Sequence, residues 1–342
     1  VGRRGEGTDR RRAVRGCLTV RLAVLGAGAV GSSVAELAGE YGHTVVALAD
    51  SSTAAVDADG IDTERALSAK AAGAGLGDAD PENALAAEYD ALVEATPTTL
   101  GDAQPGFDHV ATALERDRHV VLANKGPAAE RYAELRALAA ASAGRVRFEA
   151  TVGGAIPVLS TLSDLGPERV EAVRGVLNGT ANFVLSRMAA EGLDYEHVLA
   201  EAQDLGVAEA DPTFDVEGTD AALKGVILSN RLSEARVDDS DGLEAATTSL
   251  DEADVQGITG LPPNALELAA EDGQTVRLIA EATADTVRVG PRLVPENGTL
   301  AVSGTRNIVE LETAHAGRLA ISGRGAGGDA TATAVLSDVN RL

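Results

Sequence analysis

An α/β fold, comprising a doubly wound parallel sheet and a second mixed α/β domain, follows from three features of the 342-residue sequence. Strand-sized apolar runs alternate with helix-period segments through the first part of the chain, the pattern of a parallel sheet covered by helices on both faces. A glycine-rich turn joins the first run to the first helix. From about Gly153 the texture changes to longer helices and then to period-two alternation, as expected of a second domain. The length itself suits two cores of ordinary size.

In chain order, residues 1–19 carry six arginines and two acids in an otherwise acidic chain, with neither an apolar core nor a cleavage signature. They are expected to be a disordered extension. "VRLAVLGAGAVGSSVAELAGEYGHTVVALADSS" reads strand, helix, strand: apolar runs at Leu22–Leu25 and Val45–Leu48 flank a helical face of Val30, Val34 and Leu37. "DALVEATP", "HVVLANKGP", a helix over 128–143 and "VRFEATVGG" continue the alternation, placing the first domain at 20–148. Helices follow over 182–191, over 194–205 and through Asn230. Strands then occupy "TVRLIAEATADTVRVGPRLVP" and "RNIVELETAHAGRLAISG", with turns at Gly-Pro and Asn-Gly. The polar, acidic residues 233–256 are expected as an exposed loop or short helices. The second domain is placed at 149–315, with 316–342 returning to the first.

Composition excludes several roles. The 29 basic and 53 acidic residues give a net charge of −24, which repels nucleic acid and anionic membranes and leaves a small-molecule substrate and other protein surfaces as partners. No apolar run approaches the about 18 residues needed to span a bilayer. Acidic surplus, three lysines and eight aromatics resemble proteins of salt-loving organisms, where about 1 M salt shortens the Debye length to about 3 Å. The single Cys17 cannot form an internal disulfide, which fits a cytoplasmic setting. His43, His109, His119, His197 and His315 show no metal-ligand spacing.

"GAGAVG" sets Gly26, Gly28 and Gly31 in GxGxxG spacing after a strand, with Ala29 and Val30 opening the helix. The first glycine permits the turn, the second lets a pyrophosphate approach the backbone, and the third allows close helix packing. Asp50 ends the next strand, where an acid accepts hydrogen bonds from a ribose 2′-hydroxyl. Ser51 and Ser52 beside it suit a 2′-phosphate, so NAD and NADP both stand. This is the Rossmann signature of a dinucleotide site.

Only Lys70, Lys125 and Lys224 occur in the chain, and arginine fills the other cationic positions. In "DPTFDVEGTDAALKG" a helix starting near Gly218 puts Asp220 and Lys224 on one face, with Glu209 and Asp215 in the loop before it. A surface pair of this kind contributes only about 0.3–0.5 kcal/mol, and arginine would serve it equally. Arginine cannot release a proton at usable pH, so a retained lysine reads as a proton-transfer group. Lys70 reads as a surface residue.

Seven stretches carry a family resemblance: "GAGAVG", "EATPT" (Glu94 to Thr98), "ANKGP" (Ala123 to Pro127), "EATVGGAIPV" (Glu149 to Val158), "GVLNGTANF" (Gly175 to Phe183), "GVAEADPTFDVEGTDAALK" (Gly206 to Lys224) and "GRGAGGDATATAVLSD" (Gly323 to Asp338). In this order they resemble homoserine dehydrogenase, from Val20 to the end. The resemblance implies NAD(P)-dependent interconversion of L-homoserine and L-aspartate 4-semialdehyde, on the route to threonine and methionine. It implies Lys224 as proton donor to the carbonyl oxygen and Lys125 as a second lysine near cofactor and substrate. Glu209 and Asp220 would hold the substrate's amino end, with Asp215 beside them. Thr96, Gly206 and Gly327 would be further cofactor contacts. A monovalent cation, Na or K, would sit on main-chain oxygens of Glu149, Val152, Gly154 and Ile156, and the chain would form a homodimer. Arg324 departs from the family's more usual proline.

The closing "GAGG" segment and helix imply the form without a C-terminal regulatory domain. Oxidation of the alcohol needs a neutral Lys224, and an unperturbed lysine titrates near about 10.4, so oxidation is expected to favour alkaline pH. Two other readings stand at this point: a related Rossmann dehydrogenase of another amino-acid aldehyde or keto acid, and an NAD(P)-sensing subunit without turnover.

Overall fold

The computed structural model describes residues 19–236, 247–262 and 264–342. Cys17, the expected extension up to residue 18, and residues 237–246 of the expected acidic loop lie outside the described residues.

The first sheet comprises β1 (Arg21–Leu25), β2 (Thr44–Ala49), β3 (Ala54–Val56), β4 (Ala91–Glu94), β5 (His119–Leu122) and β6 (Val146–Arg147). Its spatial order is β3-β2-β1-β4-β5-β6. Five strands run parallel, and the short β3 pairs antiparallel at the edge. The order reverses between β1 and β4, which opens a crevice at the carboxyl ends of those strands. Leu22 and Val24 pack with Val34, Ala332 and Val335 on one face, while Ala23 and Leu25 join the core of Phe107 and Val110 on the other. Burial on both faces is why these strands read as continuous apolar runs.

The second sheet comprises β7 (Val170–Val176), β8 (Asp254–Val255), β9 (Gln274–Ala282), β10 (Val287–Pro295), β11 (Arg306–Thr313) and β12 (Gly317–Arg324), in the order β12-β11-β7-β9-β10-β8. Its pairings are antiparallel except β10 with β8. Helices Gly179–Glu191 and Thr219–Glu234 pack against it, the latter buried along most of its length. The segment after residue 316 first supplies β12 to this sheet. Helix Gly328–Val339 then packs on helix Ala29–Leu37 of the first domain, where Ser33 Oγ donates to Asp329 Oδ1 at 2.8 Å.

Two local expectations are corrected. The helix expected over 128–143 is two helices, Gly126–Glu130 and Tyr132–Ala141. Arg131 between them leaves helical geometry (φ −132°, ψ 40°), and its guanidinium lies over the Phe107 ring, 3.6 Å from the centroid. Gly290-Pro291, expected as a turn, lies inside β10. Only Arg288 and Val289 of that strand's outer edge pair with β8, so a residue without an N–H is tolerated just beyond. The hairpin turn falls instead at Thr283–Thr286, while Asn297-Gly298 does form a turn. Among the described residues no helix is long and apolar enough to cross a membrane.

Candidate active site

The carboxyl ends of the first sheet face the second domain across a cleft of about 1210 Å³. Of the glycine-rich turn Val30 lines this cleft while Gly26, Gly28, Ala29 and Gly31 do not, and its three glycines differ in what surrounds them. A Cβ on Gly26 (φ +97°) would lie 2.4 Å from the Ala95 carbonyl oxygen, and one on Gly31 only 1.8 Å from the Gly26 carbonyl oxygen. At Gly28 nothing lies within 4 Å. The outer two therefore serve packing, and the middle one leaves room for a ligand where helix Ala29–Leu37 presents its first N–H groups. This cradle fits a dinucleotide pyrophosphate. Val30, Gly206 and Gly327 line the cleft, as do Arg306 and Arg324, register partners across β11 and β12.

From the second domain, helix Thr219–Glu234 begins after Gly218, which is in the left-handed region (φ +86°). Asp220 and Lys224 thus fall one turn apart on a buried face, 7 % and 6 % exposed. Lys224 Nζ donates to Asp220 Oδ2 at 2.6 Å and to the Leu177 carbonyl at 2.6 Å. Lys125, just beyond the end of β5 and immediately before helix Gly126–Glu130, comes from the first domain, with Nζ 3.3 Å from Asp220 Oδ1. Asn178 Nδ2 donates to Asp220 Oδ2 at 2.9 Å and to Asp215 Oδ1 at 2.7 Å. Glu209, Asp215, Asp220, Lys125 and Lys224 all line the cleft.

This is the geometry of a tuned lysine. Burial pushes the Lys224 ammonium down from the ordinary lysine range; Asp220 and Asp215 oppose the shift, Lys125 adds to it, and burial prevails. For Asp220 burial acts upward, but the charges of Lys224 and Lys125 and the hydrogen bonds from Lys224 and Asn178 overcome it and hold the carboxyl below the usual range.

Other predicted positions have different surroundings. Asp50 Oδ1 accepts from the Ser52 and Thr53 N–H groups, both at 2.9 Å, and Oδ2 accepts from Lys70 Nζ at 2.6 Å. Lys70, read from the sequence as a surface residue, is half-buried and paired with Asp50. Burial works against ionisation of Asp50, yet the bonds from Lys70, Thr53 and Ser52 hold its carboxyl below the usual range. Thr96 donates through N–H and Oγ to the Glu94 side chain.

The Glu149 carboxylate accepts from Leu159 and Ser160 N–H groups at 2.8 and 2.7 Å, and so caps helix Val158–Leu165. The chain turns at Gly153 (φ +79°) and Gly154 (φ +59°). Among the described residues no hydrogen bond falls on the carbonyls of Val152 or Gly154, whereas those of Glu149 and Ile156 each accept one. Open carbonyl oxygens on a tight turn fit a hard monovalent cation.

Sequence reasoning missed Asn178, which caps helix Gly179–Glu191 through Oδ1 to the Ala181 N–H at 2.8 Å while bridging two acids. Its signal was available, since Asn before a helical run is a preferred N-cap. It also missed Asn307, whose Nδ2 donates to the same Leu177 carbonyl at 3.1 Å. Nothing in a strand sequence announces that contact.

The family model for homoserine dehydrogenase matches residues 157–339, and one for glutamate/leucine/phenylalanine/valine dehydrogenases matches residues 11–99. A homoserine dehydrogenase of Methanocaldococcus jannaschii is 37% identical over 338 residues, spanning 93% of this chain and 97% of the relative. A solved structure from Archaeoglobus fulgidus, described as a homoserine dehydrogenase, superposes with a TM-score of 0.84 at 39% identity, covering 94% of this chain and 99% of that one. A hyperthermophilic archaeal homoserine dehydrogenase in complex with NADPH gives a TM-score of 0.76 at 25% identity, covering 94% and 97%. With a matching family model over the second domain and relatives similar along nearly the whole length, the chain belongs to the homoserine dehydrogenase family.

Proposed function

We propose that the chain catalyses reversible, NAD(P)-dependent interconversion of L-homoserine and L-aspartate 4-semialdehyde, with Lys224 as the proton-transfer group. The observation that carries the assignment of roles is the buried Lys224–Asp220 pair, with half-buried Lys125 on the same carboxylate, facing a dinucleotide-sized cleft. Bound NAD(P) supplies a hydride donor or acceptor at its nicotinamide. An ammonium has three N–H donors. Two of those on Lys224 are held by Asp220 and the Leu177 carbonyl, which leaves the third for the substrate oxygen. In reduction Lys224 gives this proton to the oxygen, and in oxidation the neutral amine takes it back.

Glu209 and Asp220 provide negative charge for the substrate ammonium, and Asp215 is steered by Asn178. The first turn of helix Gly179–Glu191, lining the cleft at Gly179 and Thr180, offers N–H groups to the substrate carboxylate. An NAD(P) sensor without turnover would need none of this arrangement.

Cofactor choice turns on Asp50. Lys70 offsets its charge, and with Ser51 and Ser52 exposed beside it the site suits a 2′-phosphate, so we assign NADP as an accepted cofactor alongside NAD. The reading also includes a monovalent cation on the 149–156 loop, salt adaptation, a cytoplasmic homodimer, and no nucleic-acid or membrane partner.

The test is nicotinamide absorbance with aspartate 4-semialdehyde, using NADH and NADPH side by side in about 1 M KCl, about 1 M NaCl and low salt. Turnover is expected, highest in molar salt, and Lys70→Ala should lower the NADPH-to-NADH ratio of kcat/KM. Absence of turnover with either cofactor sinks the assignment. Cation-independent rates, a salt-insensitive enzyme, or a monomer by light scattering would each remove that component.

A further inference from the structure

Glu94, the last residue of β4, is 0 % exposed and does not line the cleft, yet its carboxylate meets donors from three separate segments. Oε1 accepts from the Thr96 N–H at 3.0 Å and from Thr96 Oγ, with Asn124 Nδ2 at 3.4 Å. Oε2 accepts from His109 Nδ1 at 2.7 Å, on helix Gly106–Glu115. The Glu94 main-chain oxygen also accepts from the Ala123 and Asn124 N–H groups at 2.9 and 3.2 Å. Room for this cluster depends on Gly106, where a Cβ would lie 2.5 Å from Asn124 Nδ2.

The cluster connects directly to the site. Asn124 Oδ1 accepts from the Gly126 N–H at 2.9 Å, and Thr98 Oγ1 accepts from the Lys125 N–H at 3.3 Å. Lys125 therefore leaves its backbone from a corner clamped on both sides, and its ammonium meets Asp220. The Thr96 turn also abuts the glycine turn, since a Cβ on Gly26 would fall 2.6 Å from Thr96 N. A buried carboxylate that loses its partners is costly, which makes such a network rigid when complete.

We infer that Glu94, with His109 as its outer partner, is a positioning residue that fixes the Thr96–Thr98 turn and the Asn124–Lys125 corner, and so the placement of Lys125 in the cleft. It touches neither substrate nor cofactor and acts through those two segments. The inference rests on the dehydrogenase reading above.

Glu94→Gln keeps the shape but puts an N–H donor against donors. We expect kcat/KM for the cofactor to fall about 10- to 100-fold, equivalent to about 1.4–2.8 kcal/mol, with a smaller change in KM for homoserine. A second readout separates positioning from general loosening. Lys224 is faced by Asp220 and Asp215, which raise its pKa, and by Lys125, which lowers it. Displacing Lys125 should therefore move the alkaline limb of homoserine oxidation upward.

Glu94→Asp, which keeps the charge on a shorter arm, should recover part of the loss. If Glu94→Gln does not fold, His109→Gln, at a partly exposed side chain, carries the same two readouts with smaller changes. A folded variant of either residue with unchanged cofactor kcat/KM and an unmoved limb overturns the inference. Inactive wild-type protein would instead overturn the dehydrogenase reading.

Discussion

Lys125, at the carboxyl end of β5, reaches Asp220 Oδ1 of the second domain at 3.3 Å, while the other oxygen of that carboxylate holds Lys224 at 2.6 Å. One buried acid thus binds two ammonium groups and ties the nucleotide-binding domain to the helix that carries Lys224.

Removing that acid exposes its role. Asp220→Asn leaves the buried Lys224 ammonium with only the weaker influence of Asp215 and takes the partner from half-buried Lys125, and loss of one partner of a buried pair costs about 3–5 kcal/mol. Urea unfolding at neutral pH should show a loss of that order. A depressed folded pKa gives stability that is present above the unfolded value and lost as pH falls through the folded one. The gap between wild type and variant should therefore narrow below pH of about 3.9.

The pH dependence of turnover has a defined sign. With Lys224 as the proposed proton acceptor, homoserine oxidation needs its neutral form, and burial lowers its pKa, so the oxidation rate should rise with pH and level off below the ordinary lysine value of about 10.4. Aldehyde reduction should fall over the same window. Lys125→Met removes a charge that pushes Lys224 down, and its oxidation limb should move to higher pH. An unmoved limb would show that the two amines are not coupled.

The glycine turn separates binding from packing. Gly28→Ala places a Cβ in open space, so its unfolding midpoint should match wild type while KM for NAD(P) rises. Gly31→Ala forces a Cβ into the Gly26 carbonyl and should lower the midpoint as well. Thermal unfolding and cofactor titration of both variants check this. Equal stability of the two would contradict the packing role of Gly31.

Much of the fold was legible because its signals are local. "GAGAVG" lies at a strand-to-helix junction, and Asp220 and Lys224 are four apart on a helix whose start at Gly218 could be read from the sequence. What was not legible depends on distance. Lys70 reaches Asp50 across 20 residues, Asn178 bridges acids about 40 residues away, and Leu177 offers a carbonyl to Lys224 that no side-chain pattern encodes. The break at Arg131 follows from its place over Phe107, and Pro291 is tolerated in β10 because β8 is short. Each is tertiary context overriding a local preference. Glu94 was readable only as part of a motif, since its burial and converging donors come from two strand-end segments and a helix.

The central claim is that Lys224 transfers the proton, and turnover of Lys224→Arg tests it most directly. Arginine keeps the positive charge beside Asp220 but cannot give up a proton in the working range. The account predicts that kcat in both directions falls about 10²- to 10⁴-fold, the usual contribution of general acid–base catalysis, with KM values changed only a few-fold. A folded Lys224→Arg variant with near wild-type kcat would contradict it.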